Sequence, residues 1–487
     1  MNKNNIKKNY IYNLIYQILV MIIPLITTPY LSRVLGAENI GIYSFTLSVT
    51  TYFILFGSLG IAMYGQREIA YLQNDIKKRS KIFFEIFLMR CITLSISILI
   101  FYIVFCSNGQ YDVYYKILLL ELIANVVDIS WYFQGLEEFK KTVVRNIIVK
   151  LISVICIFVF VKETTDLNKY FIIYVLSNFL GNLSLWMYLP KYIQKIKLKE
   201  LNLFRHIKPT IMLFIPQIAT QLYTVLDKTM IGIIISNKAE VGYYEQAQKI
   251  VKLLMTIATS LGTVMMPRIA ATFASGNHKK IKDYMNKSFS FILLLAFPLM
   301  FGIISISKNF VPIFYGKGYE KVIPLMCIIS PIIVLIGLSN VIGTQYLLPT
   351  KKQNKYTLSV VIGALLNFIL NLILIKYFAS IGASIATVIA EFAVTTTQFI
   401  LVKNEIKFLD VIKLSYKYVI AALIMFMCSI GVDYLINDSF LAIILQIMIS
   451  CITYFTVLYI LRDNLIIETV TKVKEKIIKN GGFDNER

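Results

Sequence analysis

The chain has 487 residues, 57% of them hydrophobic and 16% charged, with a formal net charge of +22. A soluble domain is about 45–50% apolar, whereas the mean hydropathy here is +0.70, so a water-soluble globule and a disordered chain are both excluded. The apolar residues form continuous runs rather than ten-residue alternations, which favours membrane-spanning helices over a β-barrel.

In chain order the runs are Tyr10–Leu31, Ile40–Tyr64, Ile82–Cys106, Tyr111–Gly135, Val143–Val161, Tyr170–Leu189 and Ile207–Ile235 in the first half. Gly242–Met266, Phe289–Ile306, Val322–Tyr346, Thr357–Tyr377, Ile381–Val402, Tyr416–Ile436 and Phe440–Leu461 follow. These are roughly fourteen stretches, each long enough to cross ~30 Å of hydrocarbon. The basic start, Met1–Tyr10, runs into the first stretch without a clear small-x-small cleavage site, which predicts an uncleaved first span.

The charge is distributed by loop. Lys77, Lys78, Arg79 and Lys81, then Lys140, Lys141 and Arg145, then Lys191 to Lys208, Lys279 to Lys282, Lys351 to Lys355 and Lys403 to Lys413 occupy alternate connectors. The tail adds Lys472, Lys474, Lys476 and Lys479. About 35 basic residues fall on that side and about 8 on the other, the positive-inside bias. It predicts both termini in the cytoplasm and anionic membrane lipid, rather than nucleic acid, as the partner of the charge. The cysteines (Cys91, Cys106, Cys156, Cys327, Cys428, Cys451) are scattered through apolar runs without a CxxC pair. His206 and His278 have no carboxylate or cysteine at ligand spacing, so no metal site and no cofactor is expected.

An internal repeat of about 201 residues runs through the chain. Ser58-Leu59-Gly60 reappears as Ser260-Leu261-Gly262. Arg67 with Ile69-Ala70 reappears as Arg268 with Ile269-Ala270. Asn39-Ile40-Gly41-Ile42-Tyr43 aligns with Glu240-Val241-Gly242-Tyr243-Tyr244. Six spans separate the copies, so the halves run the same way through the membrane, an arrangement of transporters that hold substrate between two lobes. The expected architecture is an all-α membrane protein. A six-helix lobe covers 1–200 and a second 201–410; two more helices occupy 411–465, and 466–487 form a cytoplasmic tail. A V-shaped opening between the lobes is expected.

The run Pro29-Tyr30-Leu31-Ser32-Arg33-Val34-Leu35-Gly36, followed by Ile40-Gly41-Ile42-Tyr43, resembles the first-hairpin signature of Wzx-type polysaccharide-repeat flippases. Trp131-x-Phe133-Gln134-Gly135, Asp227-Lys228, Val241-Gly242-x-Tyr244, Met266-Pro267-Arg268 and Ile381-Gly382-Ala383-Ser384-Ile385-Ala386-Thr387 are similar to later stretches of that family. The family belongs to the superfamily of multidrug exporters and the lipid II flippase. The resemblance implies transport, not enzymatic catalysis: undecaprenyl-diphosphate-linked oligosaccharides move to the outer leaflet by alternating access, for surface polysaccharide or capsule assembly.

Ionisable groups inside a membrane usually face an interior cavity. Glu245, Lys249 and Lys252 stand at i, i+4 and i+7 on one helical face. Lys252 lies ~15 Å below the outer end, near midplane, and Asp227 and Lys228 reach a similar depth from the preceding span. Such cations suit a diphosphate; equally, Glu245–Lys249 can be a helical pair and Asp227 can neutralise a lysine. Lys252 is the sharpest candidate, for want of an evident local neighbour in the sequence. The repeat places Ser44, Ser48 and Thr51 at the corresponding first-lobe positions, where hydroxyls suit either a sugar or helix packing. Arg90, ~12 Å above the inner end of its helix, and Asp128, ~10 Å above the end of the next, form a candidate salt bridge. Arg33 either contacts substrate, as the family match implies, or snorkels. Arg67 and Arg268, at cytoplasmic helix ends, either attract a lipid diphosphate or anchor topology. Glu391, with Thr387, Thr395 and Gln398 within two turns, is a candidate coupling group for H+ or Na+, with Asp128 and Glu121 next in line.

Two other functions compete. A cation-coupled multidrug exporter needs only twelve helices and usually an acidic cavity. A polysaccharide polymerase would normally carry a large external loop. A GxxxxGK[ST] motif is missing from the sequence, so no nucleotide is expected as energy source.

Overall fold

The computed structural model describes residues 3–107, 109–436, 438–468 and 471. Side chains are described from Ile18 onward, except at 198, 215–217, 219–220, 222–224 and 263. The tail lysines Lys472, Lys474, Lys476 and Lys479 lie outside the described residues. Every regular element among the described residues is helical. Nine helices there are long and apolar enough to cross a membrane, or ten when one bent pair is counted as a span. The chain divides into two compact units, Met1–Glu245 and Gln246–Arg487.

The first unit begins with α1 (Lys3–Ser58), continuous except at Gly36, whose backbone leaves the helical region at φ 77°, ψ 169°. Straight, 56 residues would reach ~84 Å, far beyond a bilayer. Gly36 supplies the positive φ that a side chain resists. The two arms it separates dock on different helices. Tyr30 packs on Phe158, with ring centroids 4.5 Å apart, while Tyr43 packs on Phe171 at 5.2 Å. After α2 (Ile61–Tyr71), α3 (Ile76–Phe105) starts at Asp75, which caps it by accepting from the Lys78 N–H at 2.9 Å. That hydrogen bond and the Lys78 ammonium hold the Asp75 carboxyl below its usual range. The expected Tyr111–Gly135 span is broken into α4 (Asp112–Val126) and α5 (Ser130–Gly135). Then come α6 (Phe139–Phe160), α7 (Leu167–Ser184), α8 (Ile207–Ile234) and α9 (Ala239–Thr259), in which the division between the units falls.

The Trp131–Gly135 motif is a packing device. Trp131 and Phe83 are buried and stacked at 5.7 Å. A Cβ on Gly65 would lie 2.4 Å from the indole, and one on Gly135 would lie 2.7 Å from the Gln66 carbonyl. These glycines let α2 and α5 close on each other.

The second unit continues with α10 (Gly262–Ala274), α11 (His278–Tyr315), α12 (Val322–Ile329) and α13 (Ile332–Ser339), followed by a π-helical segment, Asn340–Leu347. Next is α14 (Gln353–Leu401), broken at Ala379 (φ 48°, ψ −127°). A Cβ on Gly382 would sit 2.3 Å from the Leu374 carbonyl oxygen. In one straight helix those positions lie about 12 Å apart along the axis, so α14 is a hairpin. Finally α15 (Phe408–Leu435) and α16 (Ser439–Ile460) pack on α11. Buried Gln446 donates to the carbonyls of Ser429 and Ser305, and the Tyr454 hydroxyl donates to the Leu294 carbonyl at 2.8 Å.

The predicted starts of the third and ninth spans, Ile82 and Phe289, differ from the helices, which begin at Ile76 and His278. Hydropathy marks where the apolar run ends; backbone hydrogen bonding continues each helix into its lysine-bearing connector.

Candidate functional site

The break between α8 and α9 brings several of the predicted residues together within the first unit. Lys238, buried, donates to the carbonyls of Gly232 (2.6 Å) and Ile235 (3.0 Å), closing the C-terminal end of α8 as a cation can. Its ammonium lies 5.1 Å from the Phe45 ring centroid, and burial pulls its pKa down. One turn into α9, Gly242 lies against α1. A Cβ on Gly242 would meet the Ala37 carbonyl at 2.1 Å, and a Cβ on Gly41 would meet the Lys238 carbonyl at 1.7 Å. The contact is reciprocal: 37 and 238, like 41 and 242, are 201 residues apart.

Lys228 of α8 pairs with Glu245 of α9 at 2.9 Å, both partly exposed. Glu245 thus has a cation across the helix pair. Asp227 is buried and accepts a hydrogen bond from the Tyr244 hydroxyl. Thr229 and Ser48 share a buried hydrogen bond at 2.8 Å, and Thr51 bonds to the Leu47 carbonyl at 2.8 Å. The Ser48 hydroxyl therefore ties α1 to α8, while the Thr51 hydroxyl is turned onto its own helix. Within the second unit, Lys252 donates to Gln248 at 2.8 Å. That corrects the expectation for Lys252: its partner is an amide one turn back, on its own face. Lys249 is half-buried and also engaged.

The remaining candidates are dispersed. Arg67 is exposed, pairs with Glu68 at 3.0 Å and covers the Tyr64 ring at 5.3 Å. Arg33 and Arg268 are exposed. Arg90 is buried and pairs with Asp128 at 3.8 Å, as expected; Asp128 also accepts from the Ser130 N–H at 2.9 Å in the turn before α5. Glu391 is buried and held by neighbouring groups, not isolated.

Two clusters join residues that no local spacing connects, although Glu121 of the second was already a candidate coupling group. His206, read as lacking a carboxylate neighbour, is buried beside Glu85 at 2.9 Å and the Tyr64 hydroxyl at 2.7 Å. Arg205 also reaches Glu85, and the Asn202 N–H donates to it at 2.8 Å. Glu85 and His206 are 121 residues apart, so no local spacing announces them. The second cluster is Glu121, buried, each of whose oxygens accepts from the Asn178 amide at 3.1 Å. Near it, Tyr43 lies 4.7 Å from Tyr170 and 5.7 Å from Tyr174. Among the described residues no group of three or more His, Cys, Asp or Glu is arranged to hold a metal ion.

Long apolar helices, two of them broken in mid-course, with ion pairs inside the spans, define a multi-pass helical membrane protein of transporter type. The chain belongs to the polysaccharide biosynthesis protein family, whose profile matches residues 6–273, and to the overlapping lipid II flippase MurJ family, whose profile matches residues 142–456. This bears out the resemblance carried by the Pro29–Gly36 run and the later motifs. An Escherichia coli K12 protein named "Putative O-antigen transporter" is 27% identical over 418 residues, covering 83% of this chain and 98% of that protein. The lipid II flippase MurJ of Bacillus subtilis is 31% identical over 163 residues, 32% of this chain and 29% of that protein. Among solved structures, a lipid II flippase MurJ superposes with a TM-score of 0.75 at 17% identity, over 94% of this chain and all of the other. A multidrug resistance MATE transporter gives 0.58 at 12% identity, over 81% and 98%.

Proposed function

We propose that this protein is a lipid-linked oligosaccharide flippase that carries undecaprenyl-diphosphate-linked repeat units from the inner to the outer leaflet by alternating access. The observation that carries the reading is the match over 98% of the protein named "Putative O-antigen transporter" and 83% of this chain. The multidrug-export alternative has less support, since the MATE likeness is weaker and is one of fold alone.

The proposed architecture is two six-helix lobes, 1–200 and 201–410, plus the pair in 411–465, fourteen spans in all with both termini cytoplasmic. The breaks at Gly36 and Ala379 support the count, because each divides a helix too long for one crossing. Duplication is supported by element order: α1, broken once, then α2 and α3, is matched by α8 with α9, α10 and α11 about 201 residues later. The reciprocal Gly41–Gly242 contact fits a local two-fold relation between the copies.

Lys228 and Glu245 supply the proposed substrate contact. Their pair is partly exposed, so an incoming diphosphate, a stronger acceptor set than one carboxylate, can displace Glu245 from the ammonium. Asp227 positions Tyr244, and Lys249 and Lys252 extend the cationic face. Arg67 and Arg268, exposed at the cytoplasmic helix ends, attract the lipid diphosphate before entry, and Arg33, exposed at the outer end of the first span, contacts it on the far side. Coupling to H+ or Na+ is assigned to Glu391, buried in a span where ionisation is costly. The test is complementation of a flippase-deficient strain with Lys228→Ala, Lys252→Ala and their Arg counterparts, at equal expression. The Ala variants are expected to lose function and the Arg variants to retain part of it; full activity of both Ala variants would make the cluster structural. In proteoliposomes, Glu391→Gln is expected to abolish the dependence on an imposed pH or sodium gradient. Unchanged dependence would move the role to Glu121 or Asp128.

A further inference from the structure

The second unit contains a cavity of about 540 Å³. It opens between the first turns of α11, the segment after the π-helical stretch, and the link from α14 to α15. Its floor is apolar: Ile281, Met285 and Val411 are buried. Its rim carries His278, Lys279, Lys282 and Lys407. Lys352, in the wall, is paired with Glu405, lies 5.1 Å from the Tyr346 ring centroid and donates to that hydroxyl at 3.3 Å. Partial burial opposes its charge, but Glu405 and Tyr346 outweigh that and hold its pKa above the usual value. With Lys352 answered by Glu405, the rim sets Lys279, Lys282 and Lys407 against the single carboxylate Asp410. Lys279 and Lys282 are three residues apart on α11 and share a face.

What lies beside the mouth indicates what enters. The first turns of α15, continuous with Lys407, expose Phe408 (54%), Leu409 (67%) and Ile412 (44%). Large apolar side chains left outside at the end of a spanning helix belong in lipid, so the lysine rim stands at the boundary between headgroups and hydrocarbon. A cationic rim over an apolar floor at that depth has the chemistry of basic pockets between spanning helices that receive anionic headgroups.

We infer that this cavity is a binding site for a phosphate group at the leaflet boundary, supplied by an anionic phospholipid whose first acyl carbons rest on the Ile281–Met285 floor. The site is separate from the substrate contact at Lys228 and Glu245. It requires only that the chain spans a bilayer, not that it moves a glycan. Binding is therefore read without transport, and failure of one reading leaves the other standing.

The test uses the purified full-length chain in mixed micelles, with retained lipid counted by native mass spectrometry. The probes are phosphatidylglycerol, phosphatidylcholine and inorganic phosphate. Wild type is expected to retain phosphatidylglycerol in preference to phosphatidylcholine. At about one ion's worth of attraction per lysine, the Lys279→Ala/Lys282→Ala/Lys407→Ala variant should weaken that retention roughly 100-fold. The corresponding triple Arg variant should keep it, and circular dichroism should show both variants helical. Displacement of the lipid by millimolar inorganic phosphate would support the site and assign its selectivity to the phosphate alone; resistance to displacement would support it and assign the intact lipid. Equal retention of both lipids by wild type, or undiminished phosphatidylglycerol on the triple Ala variant, would overturn the inference.

Discussion

Glu85 is fully buried, and its oxygens are engaged by Arg205, His206 and the Asn202 N–H. That network staples the segment before α8 to α3. Removing the carboxylate leaves a buried imidazole and a backbone N–H without their acceptor. Glu85→Ala is therefore expected to cost about 2–4 kcal/mol, read as a lowered unfolding midpoint in detergent. Lys77→Ala, at an exposed position of α3, should leave the midpoint unchanged. An equal shift for both would mean that the cluster contributes nothing specific. The Arg90–Asp128 pair was legible in the sequence because adjacent antiparallel helices put the two at similar depth. The Glu85–His206 pair was not, because its members come from segments more than a hundred residues apart. The same distinction explains Lys252: an alternative amide acceptor, Gln248, stood one turn away, but charge-based reading looked for carboxylates.

Glycines decide how closely these helices meet. Gly41 and Gly242 lie where an added Cβ would overlap a carbonyl oxygen, at 1.7 and 2.1 Å, whereas Gly302 of α11 has nothing within 4 Å. Gly41→Ala and Gly242→Ala are expected to destabilise by about 1–3 kcal/mol or more through forced separation of α1 and α9. Gly302→Ala should be neutral or stabilising by up to about 1 kcal/mol through helix propensity. Thermal unfolding of the three variants checks the ordering, and similar effects at all three would refute it. Ala379 turns the α14 hairpin with positive φ, a conformation a methyl group resists. Ala379→Gly is accordingly expected to raise the unfolding midpoint. The repeated Ser-Leu-Gly marks a helix break in both copies: α1 ends at Ser58 and α2 starts at Ile61, while α9 ends at Thr259 and α10 starts at Gly262. The backbones differ, however. Leu59 and Gly60 are left-handed, whereas Leu261 is right-handed. Sequence similarity located the break but not its geometry.

The proposed fourteen-span arrangement with cytoplasmic termini makes a prediction about the entire chain. In a cysteine-free background, Lys77→Cys, Lys279→Cys and Lys351→Cys should react with an impermeant maleimide only after the membrane is opened. Lys317→Cys, in the connector between α11 and α12, should react in intact cells. Labelling of Lys317→Cys only in opened cells would sink the orientation, and opposite behaviour of Lys77→Cys and Lys351→Cys would sink the even count between them.

Transfer of apolar surface from water to lipid is close to additive along the chain. The sequence by itself therefore determined the membrane environment, the helical class and, through ordered motifs, the family. Hydropathy placed breaks between Leu31 and Ile40 and between Tyr377 and Ile381, but it could not register that helical hydrogen bonding runs up to a single non-helical residue, Gly36 or Ala379, on either side. Only the tertiary structure decided which charges meet: Lys228 with Glu245, Glu85 with His206, and Lys352 with Glu405 across 53 residues. Coulombic and hydrogen-bond energies depend on separations of a few ångströms. Those separations are set by helix crossings, which in turn rest on glycines at a few contact points. Nothing in a linear spacing reports them.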